Sequence, residues 1–339
     1  MAPPADIFSD VARWYAASTI ALGLETGLTQ ALLAGGGTAD ELAAAAGVDG
    51  DNAARWADAM VTAGYATLVD GRFAPDEEAV GILRGGAPLD VEAVVHLLVG
   101  LGGLLPRAAQ AIRDGRGIRS EEFQALGIAP ERVNVPMYEQ QLLTEWIAGH
   151  PDLEAALRAG IDVAEVGPGG GTALRLLGAA FSASRFTGFD LDARVVAQAN
   201  ASAEAAGLEN VRFTTADGAG LPAGSFDLVC MFDVFHHMTT PGPVLDGLRG
   251  SLRTGGSLLL AESSGTGDPV EDGKGPMGIL MYGSDLIYCY QESKTAGVPG
   301  LGATWPPRGL AAMLREHRFD EVARVSSQAG YEVIRARPS

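Results

Sequence analysis

The sequence predicts an α/β protein in two parts: a mostly helical front and a back half built on a parallel sheet covered on both faces. Three observations carry this expectation. From Ile161 onward, short apolar runs alternate with helical stretches, the pattern of strands joined by helical crossovers. Before that point, apolar residues recur at three- and four-residue steps, the period of amphipathic helices. With 339 residues, 47% hydrophobic and 19% charged, the chain is long enough for two cores at roughly 100–200 residues per domain, and its composition is not that of a disordered chain.

The front half reads element by element. One long helix is expected from Ile7 to about Leu33, ended by Gly35-Gly36-Gly37. Thr38 followed by Glu41 is a capping box that starts a short helix. Gly47-Val48-Asp49 makes a turn, and a second helix runs from about Asn52 to Ala63. Ala66–Val69 and Arg72–Ala74, separated by Asp70-Gly71, read as a hairpin. Helix, turn, helix, hairpin is a winged-helix arrangement. This domain is expected to span 1–88, a helical linker 89–134, and the α/β domain 135–339.

A winged helix suggests DNA binding, but the charges oppose it. The chain has a net charge of −18, which repels phosphate backbones. The second helix begins Asp49-Gly50-Asp51-Asn52, carries Asp58, and has Arg55 as its only cation, whereas phosphate contacts and base reading need Lys, Arg and long polar donors. No nucleic-acid partner is expected. A dimerising and site-covering module fits better, and the long N-terminal helices suggest a homodimer.

The two cysteines, Cys230 and Cys289, are too few for a disulfide framework and lack zinc-site spacing. Residues 1–10 lack the basic start and apolar stretch of a signal peptide, and a cytoplasmic location is expected. The most apolar run, Val94–Leu105, is interrupted by His96, Gly100, Gly102 and Gly103. A span needs about 20 apolar residues, so a buried helix is expected here and no membrane partner.

In the back half the candidate strands are Val163–Val166, Arg185–Phe189, Val211–Thr214, Phe226–Phe232 and Ser257–Ala261. Glu321–Val325 and Tyr331–Arg335 form a final antiparallel pair. The first strand runs into Gly167-Pro168-Gly169-Gly170-Gly171-Thr172 and then a helix. Glycines permit a tight turn, a helix N-terminus offers free N–H groups, and absent Cβ atoms let a ligand approach the main chain. A dinucleotide fingerprint would be Gly-x-Gly-x-x-Gly. Here its third glycine falls on Thr172, which argues against a nicotinamide-dependent oxidoreductase.

Glu165-x-Gly167-x-Gly169-x-Gly171 resembles motif I of the class I S-adenosylmethionine-dependent methyltransferases. The second strand ends in Asp190-Leu191-Asp192, the third is followed by Asp217-Gly218, and the fourth leads through Phe232-Asp233 into His236-His237, each similar to that family's successive stations. The resemblance implies a Rossmann-like seven-stranded methyltransferase domain with sheet order 3-2-1-4-5-7-6, S-adenosylmethionine as cofactor, and a small-molecule substrate. It also implies that Glu165, Gly167, Pro168, Gly169 and Gly171 cradle the methionine part. Asp190, with Leu191 beside it, would bind the ribose hydroxyls, and Asp217 with Gly218 the adenine. Phe232, Asp233 and Tyr138 would lie toward the methionine end. Asp192 reads as a helix cap.

The front half and the insertion at 264–305, with Tyr282-Gly283-Ser284 and Gly300-Leu301-Gly302-x-x-Trp305, resemble bacterial winged-helix small-molecule methyltransferases. The expected reaction is methyl transfer to an O, N or C atom of a small organic, secondary metabolite. Its rival is a transcriptional regulator with a cofactor-sensing domain. His236 and His237 are the candidates for a base or for orienting the acceptor. The insertion reads as a lid, with Met281, Tyr282, Tyr288, Glu292 and Trp305 as candidate substrate contacts. Glu262, Asp285 and Glu292 are the carboxylates nearest to a metal reading, but no tight ligand spacing is visible, so no metal is expected.

Overall fold

The computed structural model describes residues 7–84, 90–126, 129–263, 265–295, 297–305, 307–326 and 331–339. By backbone contacts the chain divides into two compact units, one of residues 2–103 with 132–136, the other of residues 104–131 with 137–339. The expected boundary at 88/89 lies outside the described residues. Of the segment expected as a linker, residues up to 103 and 132–134 fall in the first unit and 104–131 in the second.

In the front unit, α1 (Ile7–Thr26) and α2 (Leu28–Leu33) replace the single expected helix. Gly27 takes the left-handed conformation, φ 80°, and this backbone reversal ends α1. α3 (Ala39–Ala46) starts at Thr38 with the capping box complete, and α4 (Gly50–Thr62) at Asp49, whose side chain accepts from Asn52 N–H. β1 (Ala66–Val69) and β2 (Arg72–Pro75) pair antiparallel about Asp70-Gly71, followed by α5 (Glu77–Leu83). Leu28, Leu32, Leu42, Trp56, Met60 and Phe73 form its core, and Trp56 Nε1 donates to the Thr19 carbonyl at 2.9 Å.

α6 (Val91–Asp114) runs across the division between units. It is long and apolar enough to cross a membrane by length and composition. The expectation that it is buried is corrected: only 22% of its most apolar window is buried, and Val99, Leu105 and Ile112 are exposed.

A 3₁₀ stretch (Ser120–Leu126), α7 (Ala129–Met137), a π-helical stretch (Tyr138–Ile147) and α8 (Pro151–Ala159) precede the sheet. Then come β3 (Asp162–Val166), α9 (Thr172–Ala180), β4 (Arg185–Asp190), α10 (Ala193–Ala205), β5 (Val211–Thr215), β6 (Phe226–Phe232), α11 (Pro241–Ser251) and β7 (Leu252–Ser263). α12 (Pro269–Asp272), α13 (Pro276–Ile287) and α14 (Cys289–Ser293) fill the insertion, and α15 (Pro307–Glu316), β8 (Phe319–Ser326) and β9 (Tyr331–Pro338) close the chain. The sheet order is β5-β4-β3-β6-β7-β9-β8, parallel up to β7 with β9 antiparallel on both sides. Numbering these strands from β3 gives the expected 3-2-1-4-5-7-6.

Period-two alternation divides the strands between two cores. Leu228, Cys230 and Phe232 of β6 join one, and Val229 and Met231 the other. Burial on both faces is why these strands read as unbroken apolar runs. The reversal between β4 and β6, on either side of β3, leaves a crevice at the strands' carboxyl ends, where open α/β sheets bind ligands.

Candidate active site

β3 delivers Glu165 and then the glycine loop. Gly167, Gly169 and Gly171 have φ of 69°, 53° and 78°, a region that other residues enter only at a cost. A Cβ on Gly167 would lie 2.5 Å from Val234 Cγ2, and one on Gly171 2.3 Å from Phe213 Cζ. At Gly169 and Gly170 it would meet the Glu131 side chain at 2.9 and 2.8 Å. These glycines are thus required by the protein's own close packing as well as by backbone conformation. Thr172 N–H, at the free start of α9, donates to Glu131 Oε1 at 3.2 Å. Arg175 braces the loop by donating to the Gly170 carbonyl and, at 3.0 Å, to Thr172 Oγ1. Pro168 is buried against Gly188.

Glu165 is 2% exposed, and its Oε2 is buried without a hydrogen-bond partner. Burial, reinforced by the charges of Glu131 and Asp190, pushes its carboxyl up to about 8. Asp190, at the tip of β4, accepts from Asp192 N–H at 2.9 Å and from Gly169 N–H. Burial raises its pKa against the pull of those hydrogen bonds. Leu191 beside it is 72% exposed, and Asp192 caps α10 as expected. Asp217 is exposed and caps the turn Gly218–Gly220 through Ala219 N–H at 2.9 Å. Gly218 is buried, with Val166 where its Cβ would stand.

Tyr138 is buried and donates to the Phe232 carbonyl at 3.4 Å. Burial, together with the charges of Asp233, Glu165, Glu131 and Glu262, holds its phenol well above the usual range. The Phe232 side chain lies in the core, where its ring packs with those of Tyr138 and Trp146. Asp233 follows with φ 55°, an uncommon conformation for a side-chain-bearing residue and one that clusters at functional sites.

His236 lies on the 3₁₀ turn Phe235–His237, 4% exposed. Its Nδ1 is 2.5 Å from Glu262 Oε2, near the end of β7. Glu262 Oε1 accepts from Val234 and Phe235 N–H at 3.2 and 2.8 Å, so one carboxylate holds both the turn and the imidazole. Burial pushes the His236 pKa down, but Glu262 and Cys289 outweigh it and carry it well above the usual value.

His237 Nδ1 is 2.7 Å from Glu292 Oε2. That is an ion-pair separation, off the line of a hydrogen bond, and the nitrogen is otherwise buried without a partner. Burial and the His236 charge lower the His237 pKa, but Cys289 and Glu292 raise it further, to about 10. Cys289 is 7% exposed. Burial pushes its thiol up, and the two histidines more than reverse this. With both pKa values raised, each imidazole favours its protonated, hydrogen-bond-donating form.

Of the five expected substrate contacts, three gather here. The Tyr288 ring packs 4.8 Å from both His237 and Phe123; Glu292 pairs with His237; and Trp305 lines a cavity with His236, Glu262 and Ser263. Met281 and Tyr282 instead pack beside Gly265 and α12, where the Tyr282 hydroxyl donates to Asp272 Oδ2 at 3.0 Å. The Gly302 motif also has a local reason. Gly302 has φ 74° and its Cβ would stand 2.4 Å from Asp285, which accepts from Ala303 N–H and Thr304. Sequence reasoning missed Glu131, whose helix carries no motif, and the meeting of Cys289 with both histidines.

Residues 164–258 match a family model for a methyltransferase domain. Solved structures share the fold over nearly the whole chain. The mitomycin 7-O-methyltransferase covers 98% of this chain and 97% of its own at 15% identity, with a TM-score of 0.74. Human N-acetylserotonin methyltransferase, in complex with S-adenosylmethionine, covers 100% of both at 20% identity, TM-score 0.70. An O-methyltransferase from neocarzinostatin biosynthesis, in complex with S-adenosylmethionine and 2-hydroxy-5-methyl naphthoic acid, covers 95% of this chain and 96% of its own at 17% identity, TM-score 0.65. At such identities the likeness establishes the fold, a Rossmann-like seven-stranded methyltransferase domain behind a helical region.

Proposed function

We propose that this protein transfers a methyl group from S-adenosylmethionine to an O, N or C atom of a small organic, secondary metabolite and releases S-adenosylhomocysteine. One observation carries the reading. Behind the glycine loop, Glu165 keeps a buried carboxylate oxygen without a partner, and Glu131 and Asp190 repel its charge. A cationic ligand relieves that repulsion, and S-adenosylmethionine brings an ammonium and a sulfonium together. The cofactor supplies an activated methyl group; the chain's residues bind, orient and exclude water.

In this reading the Gly167–Gly171 loop and Glu165 hold the methionine part, with Tyr138, the Phe232 backbone and Asp233 beyond it. Asp190 accepts from the ribose hydroxyls, Leu191 is covered by the adenosine, and Asp217 and Gly218 meet the adenine. His236 and His237, held by Glu262 and Glu292, orient the acceptor among Tyr288, Glu292 and Trp305, while Met281 and Tyr282 belong to the lid around them. An oxygen acceptor is favoured, because the solved structures of this fold named above include O-methyltransferases.

We read the front unit as a winged-helix module that joins two copies of the chain, supported by its order of helices and hairpin. Phe8, Trp14, Tyr15 and Leu22 are exposed on α1, and sedimentation as a monomer would remove the dimer. Neither nucleic acid nor membrane is a partner in this reading, and the cytoplasm is its location. Nothing supports the regulator alternative, since Arg55 is the only cation on α4.

Calorimetry on the intact protein tests the proposal. S-adenosylmethionine and S-adenosylhomocysteine should bind with measurable heat and raise the melting temperature, and NAD should do neither. Absence of heat with both sulfur compounds overturns it.

A further inference from the structure

His236 and His237 come from the turn after β6, Cys289 from the first residue of α14. The fold brings them together so that one ligand atom from each lies within 4.8 Å of the others. Nothing in the chain's local spacing foretells this cluster.

A thiolate and two imidazoles are the donor set of zinc-class cations, and three protein ligands with one open position is the pattern of catalytic zinc sites. Donors around tetrahedral zinc stand roughly 3.5 Å apart, so modest side-chain rotation from the present separations closes the site. The surroundings match as well. Histidines that bind metals almost always have their second ring nitrogen held by a carboxylate or carbonyl. Here Glu262 holds His236 Nδ1 at 2.5 Å, and Glu292 stands at ion-pair distance, 2.7 Å, from His237 Nδ1, where a small ring rotation would complete the same bond. Glu262 is itself fixed by two backbone N–H groups.

The geometry points to a binding site for one divalent, zinc-class cation formed by His236, His237 and Cys289, with Glu262 and Glu292 orienting the imidazoles. The open position takes a water or an oxygen of the small-molecule acceptor. The two imidazole rings stand 4.3 Å apart between their centroids, near enough to share one cation. Metal binding stands independently of the proposed methyl transfer. Only its consequence rests on that reading: a bound ion would lower the pKa of a ligated acceptor hydroxyl.

The test uses the full chain, free of affinity tags, stripped with chelator and titrated with cobalt(II). The expected result is one equivalent bound, with a thiolate-to-cobalt charge-transfer band in the near ultraviolet that zinc abolishes. Cys289→Ser should remove the band, and Glu292→Gln should weaken binding by about 10- to 100-fold. Circular dichroism verifies that each variant folds, and S-adenosylhomocysteine calorimetry runs in parallel. Folded protein that binds S-adenosylhomocysteine but shows no cobalt band overturns the metal site and leaves a thiolate–imidazolium cluster. A cobalt band without nucleoside binding supports the metal site and overturns the proposed function.

Discussion

Glu262 holds His236 at 2.5 Å from one oxygen while its other oxygen accepts from the backbone of the same turn. The side chain of one strand end thus determines the shape of the loop leaving its neighbour. Removing that carboxylate strands a buried imidazolium and two N–H groups. Glu262→Ala should cost about 3–5 kcal/mol of stability, read by urea denaturation. Glu262→Gln should cost less, because an amide oxygen still accepts. Equal stability of Glu262→Ala and the parent protein would contradict the arrangement.

Gly171→Ala forces a side chain into a left-handed backbone and against Phe213. A loss of about 1–3 kcal/mol is expected, together with at least tenfold weaker S-adenosylhomocysteine binding, because the loop must shift. Gly207 is also left-handed, φ 68°, but has open space around it. Gly207→Ala therefore carries the backbone cost alone and leaves calorimetric binding unchanged.

Glu165 makes stability depend on pH. Its carboxyl titrates near 8 when folded, against an ordinary 4.5, so between these values the folded chain keeps a proton that the unfolded chain has lost. Its contribution is fully present below about pH 4.5 and is lost as pH rises toward 8. Denaturation midpoints of the parent and of Glu165→Gln should therefore diverge across that window, with the variant losing less stability as pH rises. Parallel profiles would refute the assignment. Cofactor binding at pH 7 should also release a proton, seen as a heat that varies with buffer ionisation enthalpy, and the variant should lack it.

Asp190→Ala removes the acceptor assigned to two ribose hydroxyls. At about 1.5–3 kcal/mol per charge-assisted hydrogen bond, S-adenosylhomocysteine affinity should fall about 100-fold or more, with Asp190→Asn between the two. Unchanged affinity by calorimetry would place the ribose elsewhere.

Much of this protein was legible in its sequence because it is written locally. The Thr38 capping box, the Asp70-Gly71 hairpin turn, the strand positions and the glycine loop each depend on residues a few positions apart. Period and turn chemistry suffice to read them. Gly27, which divides the first helix, carries the same kind of signal and was outweighed by the apolar period running through it. Sheet order came from resemblance, since strand periodicity does not specify neighbours.

Only tertiary structure decided the rest. Glu131 reaches the glycine loop from a helix without any motif, and Cys289 meets His236 and His237 because α14 packs against the turn after β6. Burial then sets the charges of these groups: removing water from carboxylates and imidazoles makes each depend on its neighbours. Those neighbours are chosen by the fold, not by adjacency along the chain.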